Sequence, residues 1–122
     1  MDLPTFLAQA RERHSLSYRS LEKRADDLSH AYIWRLEKGE KGAPSPATIQ
    51  KLSTALQLSE REQKIFELLV NTSVDDVLYN LMMKRHDIPW EEFETVATMS
   101  FRGQRPSTEE QWVKRIEIIR DL

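Results

Sequence analysis

An all-α fold is predicted, with five short helices making a first domain over residues 1–70 and a short helical region over 71–122. Two observations carry this. Apolar residues recur at three- and four-residue spacings in nearly every segment, and no stretch shows the period-two alternation of a half-buried strand. The punctuation agrees, because Ser, Thr and Pro stand where helices would begin, and two of the three glycines stand at helix ends or turns.

Pro4, a favoured first-turn residue, opens the first helix and puts Phe6, Leu7 and Ala10 on one face. Ser17 caps a second helix that carries Leu21 and Ala25 inward. Ser29 caps a third, with Ile33 and Leu36 as its apolar pair and Gly39 at its end. Ser45-Pro46 opens a fourth with Ile49, Leu52, Ala55 and Leu56 aligned. Ser59-Glu60-Arg61-Glu62 has the form of a capping box and starts a fifth, with Ile65, Leu68 and Leu69 inward.

Residues 70–73 read as a joint. Beyond it Val74, Val77, Leu78, Leu81 and Met82 mark an amphipathic helix, and Ile88, Trp90, Phe93, Val96 and Ala97 suggest another. Arg102-Gly103-Gln104-Arg105-Pro106 is a turn. Ser107-Thr108-Glu109-Glu110 reads as a second capping box, launching a last helix with Trp112, Ile116 and Ile119 on its face.

Composition narrows the function. Hydrophobic residues are 39% and charged residues 31% of 122, as in an ordinary globular protein. With no cysteine, disulfides, thiolate nucleophiles and Cys-ligated zinc are excluded. No apolar run approaches the ~20 residues that span a bilayer, so no membrane role is expected. Met1-Asp2-Leu3-Pro4 lacks a basic-then-apolar leader, which predicts a cytoplasmic protein, nucleoid-associated when bound to DNA. His14, His30 and His86 are too widely separated to suggest a metal site. Glu91, Glu92 and Glu94 flank apolar residues as a solvated helix face would. No catalytic Ser-His-Asp pattern or phosphate-cradling glycine loop occurs, so neither an enzyme nor a cofactor is expected. Net charge is −2, but residues 1–70 hold eleven Lys/Arg against ten Asp/Glu, whereas 71–122 hold seven against ten. The basic surplus lies in the first part, which permits local binding of nucleic acid.

The stretch from Ser17 to Leu58 carries the functional reading. A helix-turn-helix needs a scaffold helix, a tight turn, and a second helix packed through one face so that the other can enter the major groove. Residues 29–38 fit: Ile33 and Leu36 point inward, and His30, Ala31, Trp34, Arg35 and Lys38 gather on the opposite side. Here the chain resembles the Cro/C1 repressor (XRE) family, through Ser17, Leu21, Ala25, Ser29, Ile33, Leu36, Glu37 and Gly39, then Pro44-Ser45-Pro46-Ala47-Thr48-Ile49. The resemblance implies that His30, Ala31, Tyr32, Trp34 and Arg35 read base edges of double-stranded operator DNA. It implies phosphate contacts from Ser17, Tyr18, Arg19, Lys38 and Lys41, and a buried ion pair between Arg11 and Glu37. A packing role for Tyr32 or Trp34 is the alternative, as is plain surface charge for Lys38 and Lys41.

Three departures from the family pattern stand out. The turn Ala25-Asp26-Asp27-Leu28-Ser29 is longer than usual and lacks its Gly, the loop 40–43 is also extended, and Tyr18 replaces a Gln.

The tail is similar to that of small stress-response and mobile-element repressors of the DdrO group, through Trp90, residues 99–106 and Gln111-Trp112. That likeness implies a helical dimerisation region cut by a dedicated metalloprotease, with Phe101–Arg102 as the expected bond. Trp90, Phe93, Phe101, Arg102, Trp112, Ile116 and Ile119 are accordingly the residues assigned to dimerisation or regulation. The alternative is that Trp90, Phe93, Trp112, Ile116 and Ile119 form an intramolecular core. The functional expectation is a homodimeric repressor. The competing reading is an antitoxin or other interaction module that uses the helix-turn-helix as a scaffold and binds another protein through its tail.

Overall fold

Eight α-helices and no strand make up the computed structural model, which describes residues 1–122. They fall into two units, Met1–Ser73 and Val74–Leu122. The first holds α1 (Leu3–Arg13), α2 (Tyr18–Arg24), α3 (His30–Glu37), α4 (Pro46–Ala55) and α5 (Glu60–Asn71). The second holds α6 (Asp76–Lys84), α7 (Trp90–Thr98) and α8 (Glu109–Arg120). The all-α expectation is met.

Helix starts are set by short polar side chains that reach the otherwise unpaired first-turn N–H groups. Asp2 accepts from the Thr5 N–H at 2.9 Å, Ser17 from Ser20 at 3.1 Å and Ser45 from Thr48 at 3.2 Å. Ser59 and Glu62 form a complete capping box. The Glu62 carboxylate also accepts from Arg13 at 2.8 Å, which ties the start of α5 to the end of α1.

Two predicted caps are corrected. The Ser29 side chain makes no capping bond; the Glu22 carboxylate, on the preceding helix, accepts from the His30 N–H at 2.7 Å instead. A longer carboxylate reaches across the turn where a short hydroxyl does not aim. At α8 the cap is Thr108, one residue later than expected, and it accepts from the Gln111 N–H at 3.2 Å. Gln111 Oε1 reaches back to the Ser107 N–H at 2.8 Å, so Gln111 takes the part expected of Glu110.

In the first unit, α1 packs on α3 and α5, α2 on α3, and α4 on α5. The predicted inward residues of all five helices are buried, from Phe6 to Leu69. Phe66 joins them fully buried, its ring 6.0 Å from that of Phe6. The turn between α2 and α3 does without glycine by using aspartates. Asp26 and Asp27 both take left-handed backbone (φ 54° and 60°), a region that Asp enters more readily than most residues. The Asp27 N–H then donates to the Glu22 carbonyl at 3.1 Å, and Leu28 N–H to the Ala25 carbonyl at 3.2 Å.

In the second unit α6, α7 and α8 pack on one another. Leu78, Leu81, Met82, Phe93, Val96, Trp112 and Ile116 are all but inaccessible to solvent. The turn before α7 is clasped by Arg85, which donates from Nε and Nη2 to the two oxygens of Asp87, both at 2.9 Å. Those hydrogen bonds hold the Asp87 carboxyl at about 2, below the usual carboxylate range. Arg120 bonds Glu92 at 2.7 Å and Lys84 bonds Glu109, so each neighbour of α8 has an ionic tie to it.

This packing changes the reading of the tail. Trp90, Phe93, Trp112 and Ile116 are buried within one chain, Phe101 and Ile119 are half-buried, and only Arg102 is exposed. The aromatic and aliphatic stripe assigned to a dimer interface is consumed as intramolecular core. The apolar faces of α7 and α8 meet each other within the one chain.

Candidate nucleic-acid interface

The site is built on α2, its turn and α3. Leu21 and Ala25 on α2 and Ile33 and Leu36 on α3 are buried, which fixes the two helices against each other. Successive α-helical residues rotate by about 100°, so burying Ile33, Leu36 and Glu37 turns Ala31, Trp34 and Arg35 outward. Ala31 and Arg35 are exposed, Trp34 is 41% exposed, and His30 and Tyr32 flank the face half-buried. A Trp this open on a short helix is unusual for a core residue.

Lysines attend both aromatic rings. Lys38 Nζ lies 5.8 Å from the centre of the Trp34 ring, and Lys41 Nζ lies 5.9 Å from that of Tyr32, near the outer limit for cation–π attraction. Gly39 places that stretch. Its φ of 72° ends α3, and the Glu40 N–H closes back onto the Arg35 carbonyl at 2.9 Å.

His30 is held rather than free. Glu22 Oε1 accepts from its backbone N–H and lies 3.0 Å from its ring Nδ1. The backbone bond, then the ring bond, hold the Glu22 carboxyl below its ordinary value. A carboxylate there also sits favourably at the positive end of the α3 dipole.

Beneath the exposed face lies the buried pair. Arg11 Nε donates to Glu37 Oε2 at 2.7 Å and Nη2 to Oε1 at 3.0 Å, a bidentate arrangement. The side chains are 14% and 2% exposed. Arg11 Nη1 also donates to the Leu16 carbonyl at 2.8 Å, so one guanidinium joins α1, the loop before α2, and α3. The hydrogen bond to Glu37 raises the Arg11 pKa still further above its ordinary value.

Two residues assigned to phosphate contact are engaged elsewhere. Tyr18 O–H donates to Glu37 Oε1 at 3.1 Å, and its ring stacks under the Arg11 guanidinium at 4.2 Å. Burial, then the adjacent Glu37 charge, raise the Tyr18 pKa, so the phenol keeps its proton and spends it on Glu37. Ser17 accepts the Ser20 N–H and donates its own proton to Ser20 Oγ at 2.9 Å. In this structure both hydroxyl protons are spent within the protein.

Charge pairing separates the cations into two kinds. Arg11, Arg13, Lys51, Lys64, Lys84, Arg85 and Arg120 each lie within 4.0 Å of a carboxylate. In the first unit, Arg19, Lys23, Arg24, Arg35, Lys38 and Lys41 have no such partner, and these six belong to α2, α3 or the loop after α3. Lys23 and Arg24 are additions to the expected set. That they lack a carboxylate partner was not visible in the sequence, but part of the signal was present, since Arg19 and Lys23 are one helical turn apart. Glu22 had none, because it meets His30 across a turn, eight residues away.

Among known proteins, residues 7–63 match the family model described as Helix-turn-helix. No curated protein matches the chain. The matched segment begins in α1 and ends in α5, and so contains the Arg11–Glu37 pair and the whole exposed face of α3. It stops short of the second unit, and the likeness of the tail to DdrO-type repressors gains nothing from it. Residues 7–63 therefore constitute a helix-turn-helix domain of the Cro/C1 type.

Proposed function

We propose that the protein is a sequence-specific transcriptional repressor that reads operator DNA with α3, acts as a homodimer, and works in the cytoplasm. The observation that carries this is the outward face of α3. Ala31, Trp34 and Arg35 make no hydrogen bond or ion pair through their side chains, and Lys38, itself without a carboxylate partner, lies over the Trp34 ring. Arg35 is the leading base reader, since a free guanidinium bonds bidentately to guanine O6 and N7. Arg19, Lys23, Arg24, Lys38 and Lys41 supply the phosphate contacts that set register.

The test is selection of bound sequences from a random duplex library at ~150 mM salt, where weak non-specific binding is screened. A palindromic motif supports both DNA reading and pairing of two copies, because dimers read half-sites about one helical turn apart. A single unrepeated motif would leave a monomeric reader, and no motif would overturn the proposal. Arg35→Ala is expected to cost about 1–3 kcal/mol and to relax preference at one base position. Full retention of affinity and preference in that variant would remove Arg35 from the reading set.

Regulation by cutting the tail belongs to the same proposal. Arg102 is exposed at a bend, and a break at Phe101–Arg102 would separate α8, with Trp112 and Ile116, from α6 and α7. A chain ending at Phe101 is expected to lose the second unit and its operator affinity. Undiminished operator binding by that shortened chain would sink the cleavage mechanism.

A further inference from the structure

A second set of cations without a carboxylate partner lies in the second unit: Arg102, Arg105, Lys114 and Arg115. Their neighbours Lys84, Arg85 and Arg120 are all paired, so the absence of partners is local to one place. Arg105, Lys114 and Arg115 line an open groove of about 200 Å³ between the 104–106 loop and one face of α8, together with Gln104, Gln111 and Ile118. No carboxylate lines it.

The donors are also arranged in advance. The Arg105 and Arg115 guanidiniums lie over the Phe101 ring at 5.2 and 5.3 Å, and Phe101 rests edge-on against buried Trp112 at 5.7 Å. A single aromatic shelf therefore holds two guanidiniums that would otherwise repel and disperse. Gln111 has its carbonyl oxygen engaged by Ser107, which leaves its amide N–H groups as the end that can donate to a ligand. A groove offering charged donors and no acid is matched by an anion with several acceptor oxygens, and planar guanidiniums suit phosphate geometry.

The form of the groove selects the source of that phosphate. A site for a free small molecule encloses most of its ligand, in about 300–1,000 Å³. This groove is smaller, and Gln104, Arg105, Gln111 and Lys114 are exposed to solvent. A phosphodiester within a nucleic-acid backbone needs contact on one side only. The same chain carries the helix-turn-helix, so a duplex held by the first unit is at high effective concentration for the second.

We propose that the second unit makes its own sequence-independent contact to the DNA backbone, through Arg105, Lys114 and Arg115. This rests on the DNA-binding reading of the first unit. The experiment measures binding of the full chain to a duplex carrying the selected motif with mixed-sequence flanks, as a function of salt. Wild type is compared with the triple variant Arg105→Gln/Lys114→Gln/Arg115→Gln and with Lys114→Glu alone. Each phosphate contact contributes about −0.9 to the slope of log K against log salt, so the triple variant should flatten it by about 2–3. Lys114→Glu should flatten it by about 1, with base preference unchanged in both.

The cations over the Phe101 ring are Arg105 and Arg115, so the Lys114 variant tests the charge even if the triple change loosens the loop. An unaltered slope in Lys114→Glu and in a folded triple variant overturns the proposal. Equally fatal is an unaltered slope accompanied by groove-dependent shifts of the Gln111 amide signals with inorganic phosphate or poly-glutamate. Those results would reassign the groove to a free anion or to an acidic protein. A wild-type chain that binds no duplex at all would instead strike the DNA-binding reading itself.

Discussion

Arg11→Ala is expected to lower the stability of the first unit by about 3–5 kcal/mol, because it strands the Glu37 carboxylate in a dry site. Glu37 has a side chain 2% exposed and takes two of its bonds from Arg11. The remaining donor, Tyr18 O–H, cannot neutralise it. Small domains are stable by only about 5–15 kcal/mol, so the loss is a large share of the whole. Denaturant unfolding of the full chain, read from amide signals of α1 and α3, measures it. Arg11→Lys should recover part of the loss, since an ammonium supplies charge but not the fork that bonds Glu37 and the Leu16 carbonyl together. Arg11→Met/Glu37→Leu should recover more, because removing both partners leaves no unpaired charge. The affinity consequence separates seat from reader: Arg11→Ala should weaken binding to every sequence alike, whereas Arg35→Ala shifts preference. A cost below about 1 kcal/mol for Arg11→Ala would show that water reaches Glu37 and that the pair is not what seats α3.

Trp112→Ala should have the largest effect on the second unit, about 3–5 kcal/mol. Its side chain is fully buried, Phe101 leans on it, and α8 meets both α6 and α7. A three-helix unit this small has little surplus from its core, so the substitution is expected to unfold it near 25 °C. The amide signals of α6–α8 should collapse to the unfolded region while those of α1–α5 persist. Trp112→Phe should cost clearly less than the alanine change. The indole Nε1–H is buried with no hydrogen-bond partner, so replacing it removes an unsatisfied donor along with some packing. If Trp112→Ala left the second unit's unfolding midpoint unchanged, the assignment of Trp112 to the centre of this core would fail.

What could be read from the residues divides along a physical line. Caps at Ser17, Ser45 and Ser59 were legible because a side chain reaching the N–H three residues on is a local event. So were the buried stripes, since helical period alone decides which side chains share a face. Partners across a turn were not. Nothing in the chemistry of Ser29 shows that Glu22 will take its place, and nothing in Tyr18 shows that its hydroxyl turns inward to Glu37. The tail makes the same point in apolar terms. The stripe of Trp90, Phe93, Trp112 and Ile116 establishes that something covers these helices, but a neighbouring helix and a second chain satisfy the hydrophobic effect equally. In this fold a neighbouring helix covers them. The free cations were hidden for a related reason: whether a lysine has a carboxylate beside it is a question of tertiary position.

The Glu22 clasp bears on how such a protein changes its target. By joining α2 to the first residue of α3, it makes the angle between the helices a property of the framework. Ala31, Trp34 and Arg35 contribute little to that framework. Substitutions at these three positions can therefore accumulate, and redirect the chain to new operators, while the fold beneath them is inherited unchanged.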